Sequence, residues 1–208
     1  MSSNKGYIIV SDIKSSVKYV KKAGSKQKRI KRLKELLKNL ALVHFGAFKG
    51  WTCVKTTGDG FIFYTEEDEQ AKNLLENIKK LWDSWKGSEE MGIRIVAHCF
   101  EKPILWEDIG INSTDKWFNN DLFHPEVNKI FRILHMIRPA TTILTEDVCK
   151  KLQKLEGVMN HSPDKIENFL KSKFREVYRL PICVLKGILD FQGILSNKKP
   201  IWVWEVLI

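Results

Sequence analysis

The sequence predicts an α+β domain with a ferredoxin-like β-α-β-β-α-β core and helices on one face of a mainly antiparallel sheet. Three observations predict it. Apolar runs of strand length alternate with longer stretches of helical periodicity. A D-G turn dipeptide separates two strand-like runs, and the chain closes on a pair of alternating segments that read as a hairpin. The 208 residues suffice for one core, and no repeat, low-complexity tract or linker divides them, so residues 1–208 are read as a single domain.

In chain order, Gly6 to Val10 (GYIIV) reads as a short buried strand with Ser11 and Asp12 at its end. From about Ser15 to Val43 the pattern is helical, with a break at Ala23-Gly24-Ser25. Leu33, Leu36, Leu37, Leu40 and Val43 mark its apolar face. Phe48 to Lys55 and Phe61 to Tyr64 are strand-like, joined through the tetrad Thr57-Gly58-Asp59-Gly60. Glu66 to Trp85 carries the clearest helical pattern, acidic at its start, with Ala71, Leu74, Leu75, Ile78, Leu81 and Trp82 on one face. Then come a strand over Met91 to Phe100, a helix over Val127 to Ile137, a short strand over Ala140 to Leu144 and a helix from Thr145. Val177 to Leu185 and Ile201 to Val206 form the terminal hairpin.

Composition narrows the function classes. A hydrophobic share of 43% with 29% charged residues fits a globular protein rather than a disordered one. No apolar run approaches the roughly 20 residues that span a bilayer, and MSSNKGYIIV lacks a signal-peptide core. A cytoplasmic location with no membrane partner is therefore expected. Cys53, Cys99, Cys149 and Cys183 lie too far apart for a C-x-x-C pair and frame neither a disulfide scaffold nor a zinc site.

The net charge of +10 points to a polyanionic partner. Eleven basic residues crowd Lys14 to Lys38 against the lone Glu35, a pattern that could bind nucleic acid nonspecifically. No aromatic-rich strand motif of the RNA-binding type accompanies them. The reading adopted is a solvated helix face, or a surface that draws an anionic substrate inward; a nucleic-acid partner is not expected.

Two acids stand where acids are structurally unwelcome. Asp12 ends an apolar strand and opens a helix; Asp59 sits at a hairpin tip between two glycines, which allow close approach of a ligand. Singly, these are an N-cap and a turn residue. Together, a strand end and a neighbouring hairpin can converge to bind Mg²⁺ or Mn²⁺, hard ions that prefer oxygen ligands and leave positions open for phosphates.

In context the two segments, D-I-K-S-S at 12–16 and K-T-T-G-D-G at 55–60, resemble the class III adenylyl and guanylyl cyclases. The likeness continues in order: GIRIVAHCFEKP at 92–103 with Arg94 and His98, VNKIFRIL at 127–134, VLKGI at 184–188 and PIWVWEV at 200–206. It covers nearly the whole chain, from Gly6 to Val206.

The resemblance implies a nucleotidyl cyclase that closes a nucleoside triphosphate into a 3′,5′-cyclic monophosphate and releases pyrophosphate. It implies two divalent cations, Mg²⁺ or Mn²⁺, held by Asp12, Ile13 and Asp59. Phosphates would lie on Ile13, Lys14, Ser15 and Ser16, at a helix N-terminus well disposed to anions. Asn128 and Arg132, four apart on one helix face, would orient the ribose and stabilise charge on the α-phosphate. Lys186 would contact the triphosphate tail. Arg94 and His98 are read as strand-packing or sheet-edge residues.

A homodimer is also implied, its sites split between the metal aspartates of one subunit and the Asn and Arg of the other. Lys55 and Asp121 occupy the family's base-reading positions, where a Lys donor and an Asp acceptor fit adenine, or cytosine, and reject guanine. His124-Pro125 replace a Gly-containing turn, and Ile130 and Phe131 replace two alanines. The stand-alone layout resembles the bacterial pyrimidine cyclases of Pycsar anti-phage systems. That variant implies CTP or UTP as substrate and a separate effector that reads the product.

Overall fold

The computed structural model describes residues 5–56, 59–85, 91–101, 104–105, 122–123, 125–182 and 201–207. A seven-stranded mixed sheet runs through these segments. Its first strand, β1 (Lys5–Ile13), carries the GYIIV run and extends beyond Asp12. The hairpin strands β2 (Thr52–Thr56) and β3 (Gly60–Thr65) follow, then β4 (Ile93–Glu101). The order β2-β3-β1-β4 with antiparallel pairing throughout is the ferredoxin-like core. Beyond β4 lie β7 (Thr141–Thr145), parallel to it, and the antiparallel terminal pair β8 (Glu176–Ile182) and β9 (Ile201–Leu207), in the order β4-β7-β9-β8. Two residues each of β5 (Ile104–Leu105) and β6 (Leu122–Phe123) form a separate small ladder.

Local chemistry sets the helix ends. α1 (Ser16–Lys21) stops before Gly24, whose φ of 78° suits a residue without a Cβ. Ser25 then caps α2 (Lys26–Ala47) by accepting the Lys28 amide at 3.4 Å. The stretch read as one helix from Glu66 is two, α3 (Asp68–Lys72) and α4 (Leu74–Ser84), parted at Asn73. Further along lie α5 (Pro125–Met136), α6 (Glu146–Leu155) and α7 (Pro163–Lys171). Pro163 opens α7, where the missing N–H is no loss.

Strand alternation sorts the core into two layers. Tyr7, Ile9, Phe61, Phe63, Ile95, Ala97, Leu144 and Trp204 face one side, packed against α2, α4, α6 and α7. Ile8, Val10, Ile62, Val96, Ile143 and Val203 face the other, covered by Val127, Ile130, Ile133 and Leu134 of α5. Among the described residues most helices therefore share one face, as expected, and α5 packs on the other. Ile130, fully buried there, fills space that a small residue would leave empty. Leu33, expected inside, is 41% exposed, because the buried stripe of α2 runs through Leu36, Leu40, His44 and Ala47 instead.

Candidate active site

The end of β1 gathers the expected acidic residues. Asp12 is paired with Gly60 of β3 on one side and with Arg94 of β4 on the other. Asp59, one residue before β3, accepts the Ile13 amide on its backbone carbonyl at 3.2 Å. Its carboxylate accepts the hydroxyl of Ser16, the first residue of α1. The strand end, the hairpin and the start of α1 thus converge as the sequence suggested.

A second tie fixes this corner. The Lys14 amide donates to the Gly92 carbonyl at 3.1 Å. A Cβ on Gly92 would fall 2.4 Å from the Ala140 backbone nitrogen, so only glycine lets the chain pass there without a shift. Ser15 adopts the left-handed conformation, φ 71°, at the turn into α1.

The Asp12 carboxylate is bound by the Arg94 guanidinium through two contacts, one from Nε at 2.7 Å and one from Nη2. Arg94 is 4% exposed and its Nη1 is buried without a partner among the described residues. This arginine, read from sequence as packing, is buried in the sheet and paired with Asp12. The signal was present in the alternation of β4: Arg94, Val96, His98 and Phe100 share the face on which Asp12 lies. A charge at an inward position of a buried strand calls for a partner.

Below Asp12, on the opposite face, Ser11 meets His44 of α2, Oγ to Nε2 at 2.7 Å. The His44 Nδ1–H donates to the Leu40 carbonyl at 2.8 Å, so Nε2 accepts from Ser11 while the ring is neutral. Burial pushes the imidazole down to about 4, against the partly offsetting bond to Leu40.

α5 supplies the other expected pair. Asn128 is exposed and Arg132 half-buried, with Nη1 of Arg132 buried and without a partner among the described residues. Ahead of them, Glu126 accepts from Lys129 at 2.7 Å and faces His98 Nε2 at 3.1 Å. The His98 bond, with Lys129 adding to it against the effect of burial, pulls the Glu126 carboxyl down to about 2. Asp121 and Lys186 lie outside the described residues, as do Thr57 and Gly58 of the hairpin tip; Lys55 is placed on β2 by its backbone.

Two carboxylates, with the Ile13 carbonyl that follows Asp12 in the chain, make an all-oxygen donor set of the kind a hard divalent cation takes. Both carboxylates are held by Arg94 and Ser16, which a cation would have to share or displace. Among the described residues no group of three or more His, Cys, Asp or Glu forms a closed metal cage. No described helix is long and apolar enough to cross a membrane.

No family model matches the chain, and no curated protein does. Solved structures do. The guanylate cyclase domain of RhGC from Catenaria anguillulae, in complex with GTP, aligns with a TM-score of 0.61 at 15% identity, covering 98% of this chain and 96% of that one. The catalytic core of a rhodopsin-guanylyl cyclase with converted specificity, in complex with ATPαS, aligns at 0.60 and 16%, covering 98% and 95%. A non-canonical dimeric guanylyl cyclase domain of the RhoGC fusion protein from the aquatic fungus Blastocladiella emersonii aligns at 0.59 and 18%, covering 98% and 94%.

The chain has the fold of the class III cyclase catalytic domain. On this cyclase fold, Asp12 and Asp59 stand together at one end of the β1–β3 ladder, and Asn128 and Arg132 ride on α5, which packs on the second face.

Proposed function

We propose that the protein is a nucleotidyl cyclase that joins the 3′-oxygen of a nucleoside triphosphate to its α-phosphorus and releases pyrophosphate. The observation that carries this reading is the meeting of Asp12 and Asp59 beside a buried arginine, on a cyclase-fold sheet. Asp12, the Ile13 carbonyl and Asp59 would hold two divalent cations, Mg²⁺ or Mn²⁺. When bound, these supply charge neutralisation for the triphosphate and lower the pKa of the 3′-hydroxyl.

The remaining work falls to the chain. Arg94 holds Asp12 through Nε and Nη2 and keeps a buried Nη1 group without a partner among the described residues, a donor type that suits a phosphate oxygen. Ser16 can turn its hydroxyl from Asp59 to the same phosphates, alongside Lys14, Ser15 and Lys186. Asn128 orients the ribose, and Arg132, whose Nη1 has no partner among the described residues, meets the charge that builds on the α-phosphate as the new O–P bond forms and the bond to pyrophosphate breaks. The hydroxyl proton leaves to solvent.

A homodimer completes this arrangement, one subunit giving the aspartates and the other Asn128 and Arg132. Lys55 and Asp121 favour ATP first and CTP next. The pyrimidine variant draws its support from His124-Pro125, since α5 starts at Pro125, only four residues after Asp121. In either case the cyclic product is a messenger read by a separate effector, in anti-phage defence for the pyrimidine variant. Incubating the protein with Mn²⁺ and each of the ribonucleoside triphosphates in turn, with products identified by mass, tests both readings. Turnover of none would overturn the cyclase proposal, and preference for UTP would overturn the adenine assignment.

A further inference from the structure

We propose that His98 and Glu126 form a positioning latch that fixes the first turn of α5, and with it Asn128 and Arg132, on the sheet. The inference rests on the cyclase reading and adds to it a device for holding the catalytic helix.

His98 is 2% exposed on β4 and both ring nitrogens are engaged. Nδ1 meets the Thr145 hydroxyl at 2.7 Å, and Nε2 meets Glu126 Oε2 at 3.1 Å. Thr145 ends β7 and precedes α6, and Glu126 is the second residue of α5, so one imidazole ties three elements together. The Phe100 ring stacks beside it, with centroids 5.7 Å apart and planes 23° apart. An ionised carboxylate only accepts, so Nε2 carries the proton and the tautomer is set by Glu126. Lys129 draws on the same carboxylate oxygen at 2.7 Å and holds it from the solvent side.

Beside it much of the α5–sheet contact is apolar, with Ile8, Val96 and Ile143 below and Val127, Ile130 and Ile133 above. Such surfaces favour contact without fixing register, because dispersion and burial are non-directional. A hydrogen-bonded group inside that wall sets one register. The latch lies at the N-terminal end of α5, and Arg132 is about 9 Å further along the axis at 1.5 Å per residue. Release of the latch therefore frees the first turn, carrying Asn128, two residues on, with Glu126 and tilting Arg132 further along the same helix. His98 itself reaches no substrate, since it is buried with both nitrogens in use; it is a positioning residue.

Glu126→Ala, Glu126→Gln and Thr145→Val test the inference. Glu126 is 28% exposed, so its truncation leaves no cavity in the core. Glu126→Ala is expected to lower kcat about 10²-fold, the size of loss that a misplacement near 1 Å produces. KM and Mn²⁺ binding at the aspartates are expected to stay within about threefold of wild type. Glu126→Gln, which keeps an acceptor for Nε2–H, is expected to recover most of the rate. Amide exchange over residues 127–132 is expected to quicken in Glu126→Ala and Thr145→Val while β1 and β4 remain protected. With active wild type, a Glu126→Ala kcat within about threefold of it overturns this inference alone. So does a rate loss that Glu126→Gln shares in full. Wild type that cyclises no triphosphate overturns the cyclase reading and this inference with it, whatever the exchange pattern.

Discussion

Arg94 lies directly across the β1–β4 ladder from Asp12 and grips its carboxylate with two nitrogens, so the residue proposed to bind metal is also half of a buried ion pair. The pair is 4% and 14% exposed on its two sides. Whatever binds at Asp12 competes with, or is shared by, a guanidinium already in place.

Asp12 and Asp59 should therefore respond differently to truncation. Asp12→Ala strands the Arg94 charge in the sheet, a loss of about 3 to 5 kcal/mol when one partner of a buried pair is removed. Asp59→Ala forfeits chiefly the Ser16 hydroxyl bond, about 1 kcal/mol. Both should abolish cyclisation. Urea unfolding of the two variants separates them, and full activity in a folded Asp59→Ala protein would remove Asp59 from the metal set.

Competition at Asp12 makes a prediction of its own. Arg94→Met leaves the carboxylate without its donor and should cost about 3 kcal/mol of stability in EDTA. Mn²⁺ should return a larger share of that loss than it adds to wild type, because the freed carboxylate then meets the cation unopposed. The check is a pair of unfolding curves for each protein, with and without Mn²⁺. Equal increments would mean that Arg94 and the cation do not share Asp12.

The His44 imidazole makes stability depend on pH. Because it titrates near 4 when folded and near 6.5 when free, the unfolded chain takes up its proton first as acid is added. Stability is therefore full above about pH 6.5 and falls as pH drops toward 4, by on the order of 3 kcal/mol for a shift of this size. Glu126, depressed from 4.5 to about 2, adds its loss in a separate window below about pH 4.5. In His44→Leu the upper slope should vanish while the lower one persists. Unfolding free energies measured between pH 7.5 and pH 3, with the same upper slope in the variant, would assign that slope to another group.

The features that could be read from the sequence are those written in local chemistry. Gly24-Ser25 announces the break between α1 and α2, because a left-handed glycine and an N-cap serine act through their own backbones. The hairpin flanking Asp59 and the helix bearing Asn128 and Arg132 were legible for the same reason. What escaped depends on pairing across distance. Arg94 stands 82 residues from Asp12, and only the β1–β4 register reveals that they meet. His98 and Glu126 join a strand to a helix that packs on the second face, an arrangement no periodicity encodes. The division at Asn73 was hidden because both flanking helices keep one apolar stripe, through Ala71 and Leu74. The nine-residue α7 has too few turns to display its buried Ile166 and Leu170 as a pattern.

The composite site predicts complementation between two dead proteins. If each active site takes Asp12 and Asp59 from one subunit and Asn128 and Arg132 from the other, Asp59→Ala and Arg132→Ala homodimers are each inactive at both sites. A heterodimer of the two concentrates both lesions in one site and leaves the other intact. Under the two-fold symmetry of an isologous dimer, activity per heterodimer should approach about half of wild type. Arg132→Ala removes a guanidinium whose Nη1 is buried and unpartnered among the described residues, so its loss leaves no described partner stranded. Mixing tagged chains, isolating the heterodimer by sequential affinity steps and assaying it with Mn²⁺ makes the measurement. An inactive heterodimer, with both chains shown to be present and folded, would place the aspartates and Arg132 in the same subunit's site and end the split-site proposal.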